Sequence, residues 1–269
     1  MPLVTYSSDG PVAVLTLTNP PANSYSHEMM RELDDAVLRA RFDDAVHVIV
    51  LTGDGDRMFC AGADIAMLGR VTPRWKYQFC LHANETLLRL EHTPKLVIAA
   101  LNGHCVGGGL EVAMAADLRV AWRRTAPGAK QLLVGLPEVT LGVLPGTGGT
   151  QRLTRLVGKA KAIELIASAE NLPLERAAEL GIVNRLIDAP DVAAFRAQTM
   201  EFAKSYAPPK RAAMAVGLVK RACQTGAEVG LEQGLALERE LQQRLFASGD
   251  AAEGISAFNE KRTPSFRGE

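Results

Sequence analysis

Hydrophobic residues recur along this chain with two different periods. Short β-branched runs bounded by Gly, Pro or Asp are typical of buried strands and occupy Val12–Thr18, Val46–Thr52, Leu96–Asn102 and Leu118–Ala121. Apolar residues at helical spacing predict amphipathic helices between them. One covers Ser26–Phe42 with Ser26 as its N-cap, and another runs from about Trp75 to His92. This alternation of strand and helix favours an α/β fold with crossover connections.

From Pro173 onward the pattern becomes helical, in segments that start at Leu174, Val192, Pro209 and Ala227. In the last of these segments an apolar stripe comprises Leu231, Leu235, Leu237, Leu241 and Leu245. The stripe could pack on the core, but four consecutive helices exceed what a cap requires and favour a docking surface for another subunit. We therefore expect a core over residues 1–190 and a C-terminal helical region over residues 191–269.

Charge and cysteine content restrict the class of protein. The 269 residues carry 30 Lys+Arg and 30 Asp+Glu, which argues against a nucleic-acid footprint or a polybasic membrane surface. No apolar stretch approaches the roughly 18 residues of a membrane span, and the first residues lack the pattern of a signal peptide. Four cysteines without CxxC spacing predict reduced core residues of a cytoplasmic protein: Cys60, Cys80, Cys105 and Cys223.

Several common catalytic motifs are missing from the sequence. There is no GxSxG elbow, no Walker A motif and no HExxH pair, and the five histidines are scattered, so no metal site is predicted. The segment Gly146–Gly149 resembles half of a dinucleotide fingerprint, but no strand precedes it and its third glycine is misplaced.

Three other segments carry candidate chemistry. In Cys60–Ile65 (CAGADI) small residues allow a ligand to approach the backbone, although a tight turn would explain this motif alone. In Asn102–Glu111 (NGHCVGGGLE) a glycine loop opens a helix and places the Gly108 N–H one turn from the Glu111 carboxylate. An enolate-forming enzyme needs such a pair; the alternative is a glycine-lined helix contact beside an exposed Glu.

The third segment, Leu136–Leu153, contains Glu138 among apolar neighbours. Such surroundings raise the pKa of a carboxyl group, so Glu138 could act as an acid near neutral pH. Taken alone, it would be assigned to a surface turn.

Together these segments resemble the enoyl-CoA hydratase/isomerase (crotonase) family. The motifs occur in order along nearly the whole chain: NPPANS, AGADI, NGHCVGGGLE, PEVTLGVLPGTGGTQRL, ELGIVNRLI and EGISAFNEKR. The resemblance implies an α/β spiral of ββα units, a helical C-terminal region that forms a homotrimer, and often a dimer of trimers, a hexamer. It also implies an acyl-CoA substrate and no separate cofactor, because coenzyme A is part of that substrate.

The resemblance also implies roles for individual residues. The backbone N–H groups of Ala63 and Gly108 would form an oxyanion hole for the thioester oxygen, and Glu111 and Glu138 would be the catalytic pair. Residues that would contact coenzyme A are Arg57, Ala61, Ala63, Asp64, Ile65 and Lys261, the last of them reaching a neighbouring subunit's ligand. Candidates for the acyl pocket, which could equally be core residues, are Met67, Leu68, Trp75 and Phe79.

The expected activity is syn addition of water to a 2-enoyl-CoA thioester, or the reverse, in fatty-acid or branched-acid breakdown. A Δ3,Δ2-enoyl-CoA isomerase needs only one base, so the presence of both Glu111 and Glu138 favours the hydratase. A branched, methylglutaconyl-type substrate stays open, and a non-catalytic RNA-binding member is disfavoured by the zero net charge.

One segment departs from the family pattern. The chain between Asp117 and Glu138 is longer than usual, with the extra residues around Arg123–Leu133. We expect a surface loop there, with a changed pocket rim or subunit contact as the alternatives.

Overall fold

The computed structural model describes residues 1–269. Its ten strands are β1 (Val4–Asp9), β2 (Val12–Leu17), β3 (Val48–Gly53), β4 (Met58–Cys60), β5 (Leu96–Leu101), β6 (His104–Val106), β7 (Leu118–Arg124), β8 (Leu133–Gly135), β9 (Asn171–Pro173) and β10 (Arg185–Ala189). Its eleven α-helices are α1 (His27–Phe42), α2 (Ile65–Leu68), α3 (Pro73–Glu91), α4 (Gly108–Met114), α5 (Gly149–Val157), α6 (Lys159–Ser168), α7 (Leu174–Glu179), α8 (Val192–Lys204), α9 (Ala213–Gly226), α10 (Leu231–Phe246) and α11 (Gly249–Asn259).

The strands form two sheets that the chain visits alternately. The larger sheet has the order β1-β2-β3-β5-β7-β10, and the smaller one has the order β4-β6-β8-β9. Each of β3, β5 and β7 is followed by a strand of the smaller sheet and then by a helix, so both sheets grow in the same direction with parallel pairing. This arrangement is the spiral of ββα units that was expected, and the α/β class is confirmed.

A buried asparagine fixes the turns between the two sheets. Asn102 follows β5, and its side-chain amide donates to the carbonyl oxygens of Gly53 and Gly55 at 2.8 and 2.9 Å. Its Oδ1 accepts from the Gly53 N–H and from the Thr52 hydroxyl, both at 3.0 Å. All its hydrogen-bonding capacity is used to hold the β3–β4 turn against the end of β5.

The elements predicted from periodicity are largely confirmed. The predicted N-cap of α1, Ser26, accepts from the Met29 N–H at 3.2 Å. Helix α3 begins at Pro73, two residues earlier than expected, because Thr72 caps it and proline suits the first helical position. Strand β7 extends three residues further than predicted, and α9 and α10 each begin four residues later than expected.

Strands β1, β4, β6, β8, β9 and β10 were not predicted. Four of them, β4, β6, β8 and β9, have only three residues each, which is too short for a period to be recognised. The core position expected for the cysteines is wrong for Cys223, which is exposed, whereas Cys60 and Cys105 are buried; all four cysteines are free. Cys223 lies on the solvent-facing side of helix α9, and the position of one cysteine in the sequence does not reveal this.

The additional residues around Arg123–Leu133 lengthen β7 and then form a separate loop. Most of residues 125–131 are exposed, and Leu132 returns to the core. Arg123 pairs with Asp188 on β10, and Arg124 donates to the carbonyl oxygen of Asp56 in the β3–β4 turn. The expected surface loop is therefore present, and its base is bound to β10 and to the β3–β4 turn.

The C-terminal helices attach to the core in two ways. Helix α8 packs on the larger sheet against β2, β3, β5, β7 and β10. Helix α9 is tied down by a nearly buried ion pair, Lys220 with Asp117 at 2.8 Å, and by the Lys220 bond to the Lys95 carbonyl at 3.0 Å. Among the helices, none combines the length and hydropathy that crossing a bilayer requires.

Candidate active site

A cavity of about 440 Å³ opens where the smaller sheet ends. The segments that follow β4, β6 and β8 contribute Ala63, Gly108 and Glu138 to its wall. Parallel strands bring their carboxyl ends to one edge of a sheet, so residues 75 positions apart in sequence meet at this edge. The volume lies within the usual range for a small-molecule site.

Two backbone N–H groups on the cavity wall have no acceptor within the chain. Tyr25 pairs with the segment after β4: its N–H donates to the Gly62 carbonyl at 2.9 Å, and the Asp64 N–H donates to the Tyr25 carbonyl at 3.0 Å. The intervening Ala63 N–H therefore points away from Tyr25 and donates no hydrogen bond. The Gly108 N–H is equally free, because it belongs to the first residue of α4.

The two donors lie close together. Gly62 has a φ of +93°, and a Cβ placed on it would come 2.7 Å from the Gly108 nitrogen, so the two segments are in backbone contact. Two free donors side by side suit an oxygen atom that gains negative charge during a reaction.

Glu111 is buried at the floor of the cavity and is held by three donors. Its Oε1 accepts from the Thr147 N–H at 2.8 Å and from the Gly149 N–H at 2.7 Å, and its Oε2 accepts from the Thr147 hydroxyl. Gly149 is the first residue of α5, so the positive end of that helix also faces the carboxylate. These contacts fix the position and orientation of the Glu111 carboxyl group.

Glu138 has the opposite surroundings. Both carboxyl oxygens are shielded from solvent and neither has a hydrogen-bond partner. Burial, with a smaller contribution from the charge of Glu111, raises the pKa of Glu138 from 4.5 to about 7. The raised pKa predicted from its apolar neighbours is confirmed. The cavity thus holds one carboxyl group that three donors fix, Glu111, and one that is shielded without a partner and has a raised pKa, Glu138.

We expect the Glu138→Gln variant to be more stable than the wild type at alkaline pH. Between the unfolded value of 4.5 and the folded pKa of about 7, the unfolded chain loses the Glu138 proton while the folded chain keeps it, so stability falls as pH rises through this window. Removing the ionisable group should raise the free energy of unfolding by about 1–2 kcal/mol at pH 8, a value reduced for partial solvent exposure. Urea unfolding of both proteins at pH 5 and pH 8 tests this; an equal gain at both values would contradict it.

Lys76 is the only basic residue on the cavity wall. Its ammonium group forms no ion pair, lies 5.2 Å from the ring centre of Phe79, and lowers the pKa of Glu138 against the larger effect of burial. Lys76 therefore tunes how much of the Glu138 carboxyl group is protonated at a given pH.

The remaining predicted site residues divide into those that line the cavity and those that do not. Ala61, Ile65 and Leu68 line it, and Ile65 is exposed at its mouth. Asp64 lies beside them and caps α2 by accepting from the Ala66 and Met67 N–H groups. Besides Asp64, the residues outside the lining include exposed Arg57, and also Met67, Trp75 and buried Phe79, which pack against the core.

Lys261 also lies outside the lining of the cavity. It follows α11 with a φ of +57° and is exposed. No group of three or more His, Cys, Asp or Glu side chains has an arrangement that could hold a metal ion.

Sequence reasoning did not find Tyr25 or Thr147. Both are buried and both line the cavity, with the Tyr25 hydroxyl 3.1 Å from the Thr147 hydroxyl. The position of Thr147 inside the PGTGGTQRL motif could have suggested a role, whereas Tyr25 lies in a loop whose path to the cavity only the fold reveals.

Comparison with known proteins shows the family of this chain. The family model for enoyl-CoA hydratase/isomerase matches residues 7–269, and the chain belongs to that family. It is 38% identical to a probable enoyl-CoA hydratase of Bacillus subtilis over 100% of both chains. It is 36% identical to a short-chain-enoyl-CoA hydratase of Clostridium acetobutylicum, covering 96% of this chain and 95% of that one. The crystal structure of an enoyl-CoA hydratase from Geobacillus kaustophilus superposes with a TM-score of 0.93 at 41% identity, over 100% of this chain and 98% of that one.

Proposed function

We propose that this protein is a 2-enoyl-CoA hydratase, a hydro-lyase. The observation that carries the proposal is the pairing of two carboxyl groups in contrasting surroundings, Glu111 and Glu138, beside the free N–H groups of Ala63 and Gly108. Hydration of a conjugated thioester needs a base for water, an acid for the α carbon, and donors for the oxygen that becomes an enolate.

In the proposed mechanism the Ala63 and Gly108 N–H groups bind the thioester oxygen and stabilise its developing charge. Glu111, ionised, takes a proton from a water molecule as the hydroxyl bonds to the β carbon, and the π electrons move toward the thioester oxygen. Protonated Glu138 then gives its proton to the α carbon. Transfer of a proton from Glu111 to Glu138 through solvent restores both groups, and the net reaction is syn addition of one water.

The coenzyme A portion is proposed to follow the mouth of the cavity. Ala61 and Ile65 line this edge and would border the adenine together with Ala63, with Asp64 fixing the start of α2 behind them. Arg57, exposed in the β3–β4 turn, would face the phosphates. No separate cofactor takes part in these steps.

We further propose that residues 191–269 mediate assembly into a homotrimer, or a dimer of trimers. In the single chain, this region leaves large apolar side chains exposed: Val219, Val229, Leu231, Leu235, Phe246, Ile255 and Phe258. Such a surface is typical of a subunit interface, and Lys261 at its end would reach the coenzyme A of a neighbouring subunit. Light scattering should give three or six times the chain mass of 28.9 kDa; a monomer would contradict the assembly.

The proposed reaction is tested with two substrates. Crotonyl-CoA should lose its conjugated thioester absorbance, whereas a 3-enoyl-CoA should show no gain of that absorbance. Gain with the 3-enoyl substrate and no loss with crotonyl-CoA would make the protein an isomerase instead. If neither absorbance changes, short-chain hydration is contradicted, and a branched methylglutaconyl-type thioester is the next substrate to assay.

We expect the rate of hydration to fall as pH rises through about 7, because Glu138 acts in its protonated form. Replacing Lys76 with Met removes the charge that lowers the pKa of Glu138, so this basic limb of the kcat/KM profile should move to higher pH. Lys159→Met, which removes an exposed lysine on α6, is the matched control. If the basic limb lies at the same pH in Lys76→Met as in the wild type, or shifts equally in Lys159→Met, its assignment to Glu138 is contradicted.

A further inference from the structure

The mechanism above leaves one buried polar side chain without a role. Tyr25 is only 2% exposed, yet its hydroxyl reaches the cavity and lies 3.1 Å from the Thr147 hydroxyl, which in turn contacts Oε2 of Glu111. The three groups form a continuous chain of hydrogen bonds ending on the proposed base.

The direction of the protons in this chain follows from the groups themselves. Ionised Glu111 can only accept, so the single hydroxyl proton of Thr147 is donated to Glu111. The Thr147 oxygen then accepts from Tyr25, whose proton is the only one available to it. Burial and the charge of Glu111 raise the pKa of the Tyr25 phenol well above its usual value, so the phenol keeps this proton.

The ring of Tyr25 also contacts the backbone at Gly108. A Cβ on Gly108 would overlap the Tyr25 hydroxyl and come 2.7 Å from Cζ, so the ring lies directly against the backbone that carries one free N–H. The ring also lies near Phe79, with ring centres 6.0 Å apart. Tyr25 therefore touches the donor at Gly108 and, through Thr147, the carboxylate of Glu111.

We infer that Tyr25 is a positioning residue for the hydration step, which orients Thr147 so that its hydroxyl holds Oε2 of Glu111 toward the attacking water. It is not itself the acid, because its one proton is committed to Thr147. The inference rests on the proposed function, in which Glu111 is the base. Hydrogen bonds in such chains strengthen one another in a site shielded from water, so loss of the first bond weakens the last.

The test is Tyr25→Phe, which keeps the ring against Gly108 and removes only the hydroxyl. We expect kcat to fall about threefold to tenfold with KM unchanged, the usual effect of one hydrogen bond. Tyr77→Phe on α3, which removes a hydroxyl from a side chain that is 67% exposed, should change neither quantity.

A double-mutant comparison separates positioning from general packing. In a Thr147→Val background, Tyr25→Phe should cost less than twofold, because the connection to Glu111 is already cut. An unchanged kcat in Tyr25→Phe, or an equal loss of kcat in both backgrounds, would overturn the inference. Thermal unfolding of each variant identifies a loss caused by misfolding.

Failure of this inference can be distinguished from failure of the proposed function. If the wild type hydrates no enoyl-CoA, the proposed function is wrong and the positioning role of Tyr25 is overturned with it. If the wild type hydrates crotonyl-CoA and Tyr25→Phe hydrates it with the same kcat, the proposed function stands and the inference alone is wrong.

Discussion

Replacing Glu138 or Glu111 with Gln is expected to lower the rate of crotonyl-CoA hydration at least 100-fold, because each residue acts as a general acid or base in the proposed mechanism. Glutamine at 138 has no proton to give to the α carbon. Glutamine at 111 can still accept from the Thr147 and Gly149 N–H groups through its oxygen, but its amide cannot deprotonate water. Both variants should therefore fold and bind coenzyme A like the wild type while losing catalysis.

The measurement is kcat for each variant, together with coenzyme A affinity by calorimetry. Glu85→Gln, an exposed position on α3, is the matched control and should keep full activity. If either variant stayed within tenfold of the wild type with its fold intact, the role assigned to that residue would be wrong. Equal losses of affinity and rate would instead indicate that the carboxyl group serves binding.

Replacing Gly108 with Ala is expected to lower kcat/KM by about 100-fold or more, the effect of losing one donor of an oxyanion hole. The new Cβ would overlap the Tyr25 hydroxyl and lie 2.7 and 2.8 Å from two ring carbons, so either the ring or the Gly108 backbone must move. Because Tyr25 is enclosed by the core, we expect the backbone N–H to be displaced from the cavity.

Gly226→Ala in α9 is the control, since a Cβ there meets no atom within 4 Å. Steady-state kinetics with crotonyl-CoA and thermal unfolding should be measured on both variants. A Gly108→Ala protein that unfolds at the wild-type temperature and retains its full kcat/KM would show that this N–H does not support the reaction.

The two carboxyl groups proposed to act in catalysis were found in the sequence by local patterns, and the family resemblance then paired them. Glu111 lies one turn after a glycine-rich helix start, and Glu138 lies among apolar neighbours, and both patterns are local. The partners of these residues were not predictable in this way. Thr147 and Tyr25 reach the cavity from segments 36 and 86 residues away from Glu111 in sequence, and neither has an unusual neighbourhood.

The sequence by itself determined the α/β class, the main strands and helices, the family, and the residue types available for acid–base chemistry, because these depend on periodicity and short motifs. Only the tertiary structure decided that three short parallel strands end at one cavity, where the Ala63 and Gly108 N–H groups lack acceptors. It also decided the contrast between the two carboxyl groups. Three donors converge on Glu111, whereas burial without a hydrogen-bond partner raises the pKa of Glu138 to about 7. Such differences arise from atoms that are distant in sequence, so they exist only once the chain has folded.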